Sequence, residues 1–265
     1  MCRLFAFVAP GPSAVDRELG ARGIHSFISL AQVHGDGWGW AGVPEIGDAP
    51  SVHKSVKSAA TDPGFGLALA VHSRAAMVHL RWATSGMDVD TANTHPFLAN
   101  GISFEHNGSL KPVERARELL SAASLREMTG HTDSEMYFAL VREKKATGLD
   151  LPAATLAAAR ELRRAFPFSS LNAILLTAEQ LIVVHANAHA ALTDEDVIEI
   201  MKFNLPDEHA EDYFDLRWHR KPDGTIVIGS TGVAEVDWEA LPAESVTTIT
   251  LSDGRTSTAR LTSSW

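Results

Sequence analysis

Short apolar runs separated by glycine, proline and charged residues predict that strands dominate the first part of the chain. Residues 3–8 form a continuous apolar run before Pro10-Gly11-Pro12, which predicts a buried strand that ends in a turn. Residues 15–33 mix charged and apolar positions at helical spacing, so a helix is predicted there. Further strands are predicted at residues 38–43, 52–56, 75–83 and 102–106.

The middle of the chain has a helical pattern, and the strand pattern then returns. Three amphipathic helices are predicted, with apolar faces formed by Val113, Ala116, Leu119 and Leu120, by Met136, Ala139 and Leu140, and by Leu156, Ala159, Leu162 and Phe166. Hairpins are predicted within residues 171–185, 215–230 and 246–261. Strands, then helices, then strands predict an α+β protein in which helices pack outside sheets.

Composition narrows the class of protein. The chain has 265 residues, 45% hydrophobic and 21% charged, and no Pro-, Ser- or Gly-rich linker divides it. We therefore expect one domain over residues 1–265. Lys and Arg number 23 against 33 Asp and Glu, and the formal charge of −10 argues against nucleic acid as a partner. A small-molecule ligand fits this composition better.

Cysteine content and hydropathy predict where the protein acts. The single cysteine cannot form an internal disulfide, and the apolar run at residues 4–8 is too short for a signal-peptide core. No stretch approaches the roughly 20 apolar residues of a membrane helix. We expect a cytoplasmic protein with no membrane partner. Neither a metal nor a cofactor is predicted, because no second cysteine offers ligand spacing and the glycines do not fit the dinucleotide fingerprint.

The single cysteine, Cys2, directly follows Met1. A thiol with a pKa of about 8.5 is only a few per cent thiolate at neutral pH, so a nucleophilic role needs a proton acceptor. Removal of Met1 would place an α-amine, with a pKa of roughly 7.7 to 8.0, on the same residue, where it suits that task. The alternative is that Cys2 is a small buried residue at the start of a strand.

Three segments contain side chains suited to a polar ligand. His34-Gly35-Asp36-Gly37-Trp38-Gly39-Trp40 is either a glycine-rich turn near a ligand or a plain tight turn. In the segment from His79 to Gly86, Arg81 leaves an apolar strand and either binds a carboxylate or stacks on Trp82 at the surface. His95 precedes Pro96 and either orients a loop or fills it.

Two further segments combine turn or cap signals with catalytic residue types. Asn107-Gly108 follows a predicted strand and favours a left-handed turn, which directs the Asn107 amide and the Gly108 N–H to one point, as an oxyanion hole requires. The dipeptide is also an ordinary turn sequence. In Thr132-Asp133-Ser134-Glu135, Asp133 or Thr132 is a helix N-cap, or the Asp133 carboxylate binds an ammonium group.

Taken together and in this order, these segments resemble the class II glutamine amidotransferases of the N-terminal-nucleophile hydrolase superfamily. The motifs lie in the first half of the chain and are Cys2, the loop 35–39, Arg81-Trp82-Ala83-Thr84-x-Gly86, Asn93-x-His95-Pro96-Phe97, His106-Asn107-Gly108 and Thr132-Asp133-Ser134-Glu135. The resemblance implies a four-layer αββα sandwich of two antiparallel sheets flanked by helices. It also implies that Cys2 attacks the side-chain amide of glutamine or another γ-glutamyl compound.

The same resemblance implies residue roles. Arg81 is expected to bind the substrate α-carboxylate and Asp133 its α-ammonium. Asn107 and Gly108 are expected to stabilise the oxyanion, and Trp82 and Thr84 to form part of the pocket wall. Ser85 stands where many members of the family have histidine.

Three functional hypotheses follow. The leading one is an amidohydrolase that forms a γ-glutamyl thioester on Cys2, because the synthase domains usual in the family do not occur in this sequence. The others are a glutaminase subunit that donates ammonia to a separate synthase, and a catalytically silent module that binds γ-glutamyl compounds. Residues 187–214 are acidic and are interpreted as a solvated loop or short helix.

Overall fold

The computed structural model describes residues 2–83, 89–203, 205, 208–233 and 236–261. Its strands are β1 Cys2–Ser13, β2 Trp38–Val43, β3 Ser51–Ser55, β4 Ser73–Arg81, β5 Phe97–Ala99, β6 Ile102–Asn107, β7 Asn172–Leu176, β8 Gln180–His185, β9 Leu216–Arg220, β10 Ile226–Ser230, β11 Glu239–Ala240, β12 Ser245–Thr250 and β13 Thr256–Arg260. Its helices are α1 Val15–Ser29, α2 Pro63–Leu69, α3 Val113–Glu118, α4 Ala122–Glu127, α5 Asp133–Ala146, α6 Leu151–Ala165, α7 Asp194–Ile200 and α8 Glu208–Glu211, with a 3-10 turn at Leu30–Gln32. None of these described helices has the length and hydropathy needed to cross a membrane.

The strands form two antiparallel sheets. One sheet has the order β11-β9-β10-β1-β4-β2-β3, and the other has the order β13-β12-β8-β7-β6-β5. β1 is a central strand, since it pairs with β10 on one side and β4 on the other. Its first eight residues are all buried, as expected for a strand covered on both faces. Cys2 is therefore held at the end of a strand with hydrogen-bonded neighbours on both sides.

Alternate residues of β1 pack into two different cores. Leu4 and Ala6 belong to the apolar cluster between the two sheets, whereas Phe5 and Phe7 pack with α1 and α2 on the outer face. Helices α5 and α6 cover the outer face of the second sheet through another cluster. The layers thus follow the order helix, sheet, sheet, helix. This confirms the predicted α+β fold and its four-layer αββα sandwich.

Several predicted elements needed correction. The segment Pro10-Gly11-Pro12 does not end β1, which continues to Ser13 across a shift in its pairing with β4; prolines are tolerated at such irregular strand ends. Helix α2 was missed, although the Asp62 carboxylate caps the Gly64 N–H and Pro63 occupies the first turn. The acidic segment 187–214 contains the short helices α7 and α8, as one of its two interpretations expected, but it is not wholly solvated, since Tyr213 is buried.

Candidate active site

The ends of β1, β4 and β6 bring the predicted site residues together. Cys2 and Arg81 are paired across β1 and β4. The alternation that directs Leu4 between the sheets also directs Cys2 there, toward Asn107 at the end of β6 in the facing sheet. The backbone nitrogen of Cys2 donates a hydrogen bond to Asn107 Oδ1 at 2.8 Å. This hydrogen bond therefore connects the two sheets at Cys2.

A small cavity of about 30 Å³ lies at this junction. We call it the nucleophile cavity; it is lined by Cys2, Arg81, Trp82, Ala83, Asn93, His95, His106, Gly108, Thr132, Asp133 and Ser134. Of the predicted site residues, Thr84 lies outside the described residues, as does Ser85. In the part of the chain that the structure describes, no three His, Cys, Asp or Glu side chains are grouped to hold a metal ion.

The environment of the Cys2 thiol favours its ionised form. Burial raises the pKa of this thiol, but the charge of nearby His79, the charge of the chain-terminal amine, and hydrogen bonds from His79 and the Trp82 backbone together outweigh burial and lower the pKa from 9.0 to about 6. At neutral pH the sulfur is then mostly thiolate, which is the nucleophilic form.

The two polar atoms of the Asn107 side chain have different surroundings. Oδ1 accepts the hydrogen bond from Cys2, whereas Nδ2 is buried and finds no hydrogen-bond partner within the part of the chain that the structure describes. Leaving a buried amide donor unpaired costs about 1–3 kcal/mol, so the native structure rarely keeps one without a reason. A ligand oxygen placed beside Nδ2 supplies the missing acceptor.

Gly108 follows Asn107 without the left-handed turn that the Asn-Gly pair predicted. That prediction is wrong, since Asn107 ends β6 and neither residue has a positive φ. Close packing requires the glycine instead. A Cβ at position 108 would lie 2.0 Å from the carbonyl oxygen of Ser170 and 2.6 Å from Nε2 of His106.

His106 links this strand end to the start of α5. Its Nε2 donates to the carbonyl oxygen of Ser170 at 3.1 Å, and its Nδ1 lies 2.9 Å from the Ser134 hydroxyl, a group that can donate or accept. Burial lowers the pKa of His106 and so favours the neutral ring, in which Nδ1 accepts from this hydroxyl.

Thr132, rather than Asp133, is the N-cap of α5. The Thr132 hydroxyl accepts the N–H of Glu135 at 3.1 Å. The Asp133 carboxylate lines the nucleophile cavity and accepts the backbone N–H groups of Leu110 at 2.6 Å and Ser134 at 2.8 Å. A carboxylate has about four acceptor positions, so these two bonds leave capacity for an ammonium group.

The glycine-rich segment 34–40 supports the strand end that contains Arg81. The N–H of Arg81 donates to the carbonyl of Gly37 at 2.9 Å, and the Asp36 carboxylate accepts the N–H of Ala83 at 2.8 Å. Gly39 packs so closely on His95 that an added Cβ would lie 2.0 Å from its carbonyl oxygen. The contribution of this segment is therefore structural: it holds in place the backbone that positions Arg81 and Trp82.

Sequence reasoning assigned no role to two buried side chains near Cys2. His79 lies two residues before Arg81, and Glu105 lies two residues before Asn107, so strand alternation directs both between the sheets. The His79 ring stacks on His95 at 4.2 Å between centroids. Glu105 is fully buried and has no hydrogen-bond partner among the residues described, and burial raises the pKa of its carboxyl well above the usual value. Counting back two strand positions from Arg81 and from Asn107 therefore identifies His79 and Glu105 as inward-facing residues.

Comparison with known proteins extends these observations. Residues 1–249 match the family described as Glutamine amidotransferases class-II. Curated relatives include the isomerizing glutamine--fructose-6-phosphate aminotransferases of Xylella fastidiosa, 36% identical over 104 residues, and of Methanothermobacter thermautotrophicus, 31% identical over 102 residues. The matched segments cover 39% and 36% of this chain but only 16% of each relative.

Solved structures with a similar fold cover nearly the whole chain. A glutamine aminotransferase class-II domain protein from Silicibacter pomeroyi aligns with a TM-score of 0.63 at 17% identity, over 98% of this chain and 99% of that one. A glutamine phosphoribosylpyrophosphate amidotransferase from B. subtilis aligns with a TM-score of 0.65 at 16% identity, over 98% of this chain and 49% of that one. At these identities the likeness shows a shared fold.

Proposed function

Because the chain belongs to the class II glutamine amidotransferases, we propose that it hydrolyses the γ-amide of glutamine or of a γ-glutamyl small molecule, with Cys2 as an N-terminal nucleophile. The observation that carries this proposal is the 2.8 Å contact between the Cys2 nitrogen and Asn107 Oδ1. This contact supports the proposal because the nitrogen that would become the α-amine lies beside a side chain whose Nδ2 has no hydrogen-bond partner among the described residues.

The first half-reaction forms a thioester. Removal of Met1 converts the Cys2 nitrogen into an α-amine, which holds the proton lost by the thiol as an ammonium while the thiolate attacks the γ-carbonyl carbon. The carbonyl oxygen becomes an oxyanion that receives hydrogen bonds from Asn107 Nδ2 and the Gly108 N–H. The ammonium then returns its proton to the leaving nitrogen as the C–N bond breaks, so that ammonia or an amine departs.

The second half-reaction restores the enzyme. The α-amine takes a proton from a water molecule whose oxygen attacks the thioester carbon, and the same two donors stabilise the second oxyanion. The C–S bond then breaks and releases the Cys2 thiolate beside the ammonium, and the γ-carboxylic acid product leaves and gives its proton to solvent. The proposed reaction needs a reduced Cys2 thiol. Because the cytosol keeps thiols reduced, we propose a cytoplasmic location.

Recognition of the amino-acid head is assigned to two residues of the nucleophile cavity. Arg81 offers a planar pair of donors to the α-carboxylate, and Asp133 offers a carboxylate to the α-ammonium. Both residues are buried, which strengthens charged hydrogen bonds relative to water. Residues 1–265 are proposed to act as one catalytic domain.

A second candidate function is donation of ammonia to a separate synthase. It is favoured by the curated relatives, whose names describe transfer from glutamine to fructose 6-phosphate. It predicts low glutaminase activity alone and strong stimulation by a co-purifying partner. Assays of glutamine hydrolysis with and without proteins that co-purify from the source cell distinguish it from the hydrolase.

The proposed mechanism is tested with a cleavable tag placed directly before Cys2. The uncleaved protein is expected to be inactive because its nitrogen is in a peptide bond, and cleavage that exposes Cys2 is expected to restore glutamine hydrolysis. Cys2→Ala is the matched control and should stay inactive after cleavage. Intact mass after treatment with an electrophilic glutamine analogue should show one adduct on Cys2. Full activity of Cys2→Ala would rule out the mechanism, and absence of an adduct would favour a silent binding module.

A further inference from the structure

A larger cavity adjoins the nucleophile cavity. It has a volume of about 480 Å³, and we call it the outer cavity. Trp82 and Ala83 line both cavities, and Ser109, which follows Gly108, lines the outer one. Arg81 and Asp133 line only the nucleophile cavity. The outer cavity therefore lies beyond the residues proposed to bind the amino-acid head.

We propose that the outer cavity binds the amine portion of a γ-glutamyl amide and selects amines that are larger than ammonia and positively charged. This inference rests on the proposed function. With the α-carboxylate and α-ammonium held at Arg81 and Asp133, and the γ-carbonyl at Cys2, the atoms beyond the γ-nitrogen extend past Trp82 into the outer cavity.

The volume of the outer cavity argues for a large leaving group. Ammonia is about the size of water, whose share of liquid volume is about 30 Å³. Sites for small molecules usually measure roughly 300–1,000 Å³, and the outer cavity falls in that range. Phe168 lines it with a side chain that is 75% exposed, which leaves an aromatic surface for the carbon atoms of an amine to cover.

The charged lining argues for a cationic leaving group. Three carboxylates of α7 line the outer cavity, Glu195, Asp196 and Glu199, whereas Lys111 is the only lysine or arginine among its described lining residues. A capping box between Thr193 and Asp196 fixes the first turn of α7 and so holds Glu195 and Asp196 at the wall, whereas Glu199, in the last turn, pairs with Lys202. Aromatic faces from Trp82 and Phe168 also favour a cation.

Three γ-glutamyl amides of matched length, compared with L-glutamine as the small reference, separate size from charge. They are the γ-glutamyl amides of 1,5-diaminopentane, of hexylamine and of 6-aminohexanoic acid. We expect the cationic amide to exceed the isosteric neutral amide by about tenfold in kcat/KM, which corresponds to about 1.4 kcal/mol. The anionic amide should be the poorest of the three. Added salt should reduce the preference for the cation, because the charges are screened.

Two variants locate the preference in the outer cavity. The double variant Glu195→Gln and Glu199→Gln should bring the cationic and neutral amides to within about twofold and leave glutamine hydrolysis unchanged. The matched control is Glu45→Gln with Glu179→Gln, which removes the same charge at exposed positions away from both cavities. Ala191→Trp should fill the outer cavity and reduce hydrolysis of all three larger amides at least tenfold, with glutamine retained.

Calorimetry of the three amides with Cys2→Ala distinguishes failure of the outer-cavity assignment from failure of the proposed function. Tighter binding of the cationic amide that is lost in the α7 double variant supports the outer-cavity assignment even if hydrolysis fails, in which case only the proposed function falls. Cys2-dependent hydrolysis of glutamine, with equal binding and turnover of the three amides, overturns the assignment and leaves the proposed function standing.

Discussion

The nitrogen of Cys2 donates a 2.8 Å hydrogen bond to Oδ1 of Asn107, which lies 105 residues away in the sequence and in the facing sheet. This bond fixes the amide group of Asn107, because only one of its two polar atoms is an acceptor. Among the described residues, Nδ2 is left as a buried donor without a partner. In the proposed reaction, Cys2 thus orients the donor that stabilises the oxyanion formed by its own attack.

Asn107→Ala is expected to lower kcat for glutamine hydrolysis by about 10² to 10³ with little change in KM, since one oxyanion donor is removed. Asn107→Asp is the informative comparison: it keeps an acceptor for the Cys2 nitrogen but has no donor, so it should be similarly impaired. Steady-state kinetics check both variants. An Asn107→Asp enzyme with native turnover would show that Nδ2 takes no part.

Gly108→Ala is expected to destabilise the protein by about 1–3 kcal/mol, because the new Cβ would overlap the Ser170 carbonyl. Thermal unfolding should show a fall in Tm of about 2–4 °C for each kcal/mol. Gly66→Ala is the matched control. A Cβ there meets no atom within 4 Å in α2, so a small gain of about 0.5–1 kcal/mol is expected.

Alkylation of the single thiol by iodoacetamide should rise with a midpoint near pH 6, because the rate follows the thiolate fraction and the pKa of Cys2 is lowered to about 6. His79→Gln removes the main interaction that opposes burial, so its midpoint should move upward. His72→Gln is an exposed control and should leave the midpoint near 6. Mass spectrometry at a series of pH values measures the rates; an unchanged midpoint in His79→Gln contradicts the assigned cause.

Glu105→Gln is expected to make stability less sensitive to rising pH. Burial raises the pKa of Glu105 well above 4.5 in the folded protein, so between the unfolded and folded pKa values the folded state binds more protons than the unfolded state. Stability is then fully present below the unfolded pKa and is lost as pH rises toward the folded pKa. Urea unfolding at several pH values should show that the variant gains stability relative to the wild type as pH increases. A constant difference would show that Glu105 does not titrate in this way.

Local pattern determined much of this protein. The continuous apolar run at residues 3–8 predicted β1, and the pattern at residues 38–43 predicted β2 with the bounds observed. The ordered motifs around Arg81, Asn107 and Asp133 predicted a γ-glutamyl site, and the structure brings these segments to one junction with Cys2. Such signals are local, because strand alternation, capping and turn preferences act over a few residues.

Tertiary structure decided what depends on pairing between distant segments. Whether Asn107 faces Cys2, and whether Gly108 has room for a Cβ, follow from the approach of β6, β7 and β1, which no single segment encodes. The same approach of distant segments leaves Glu105 without a hydrogen-bond partner among the described residues. It also forms the outer cavity between Trp82 and α7. Burial and cavity shape are set by the register and stacking of whole sheets, so they become visible only when the chain is folded.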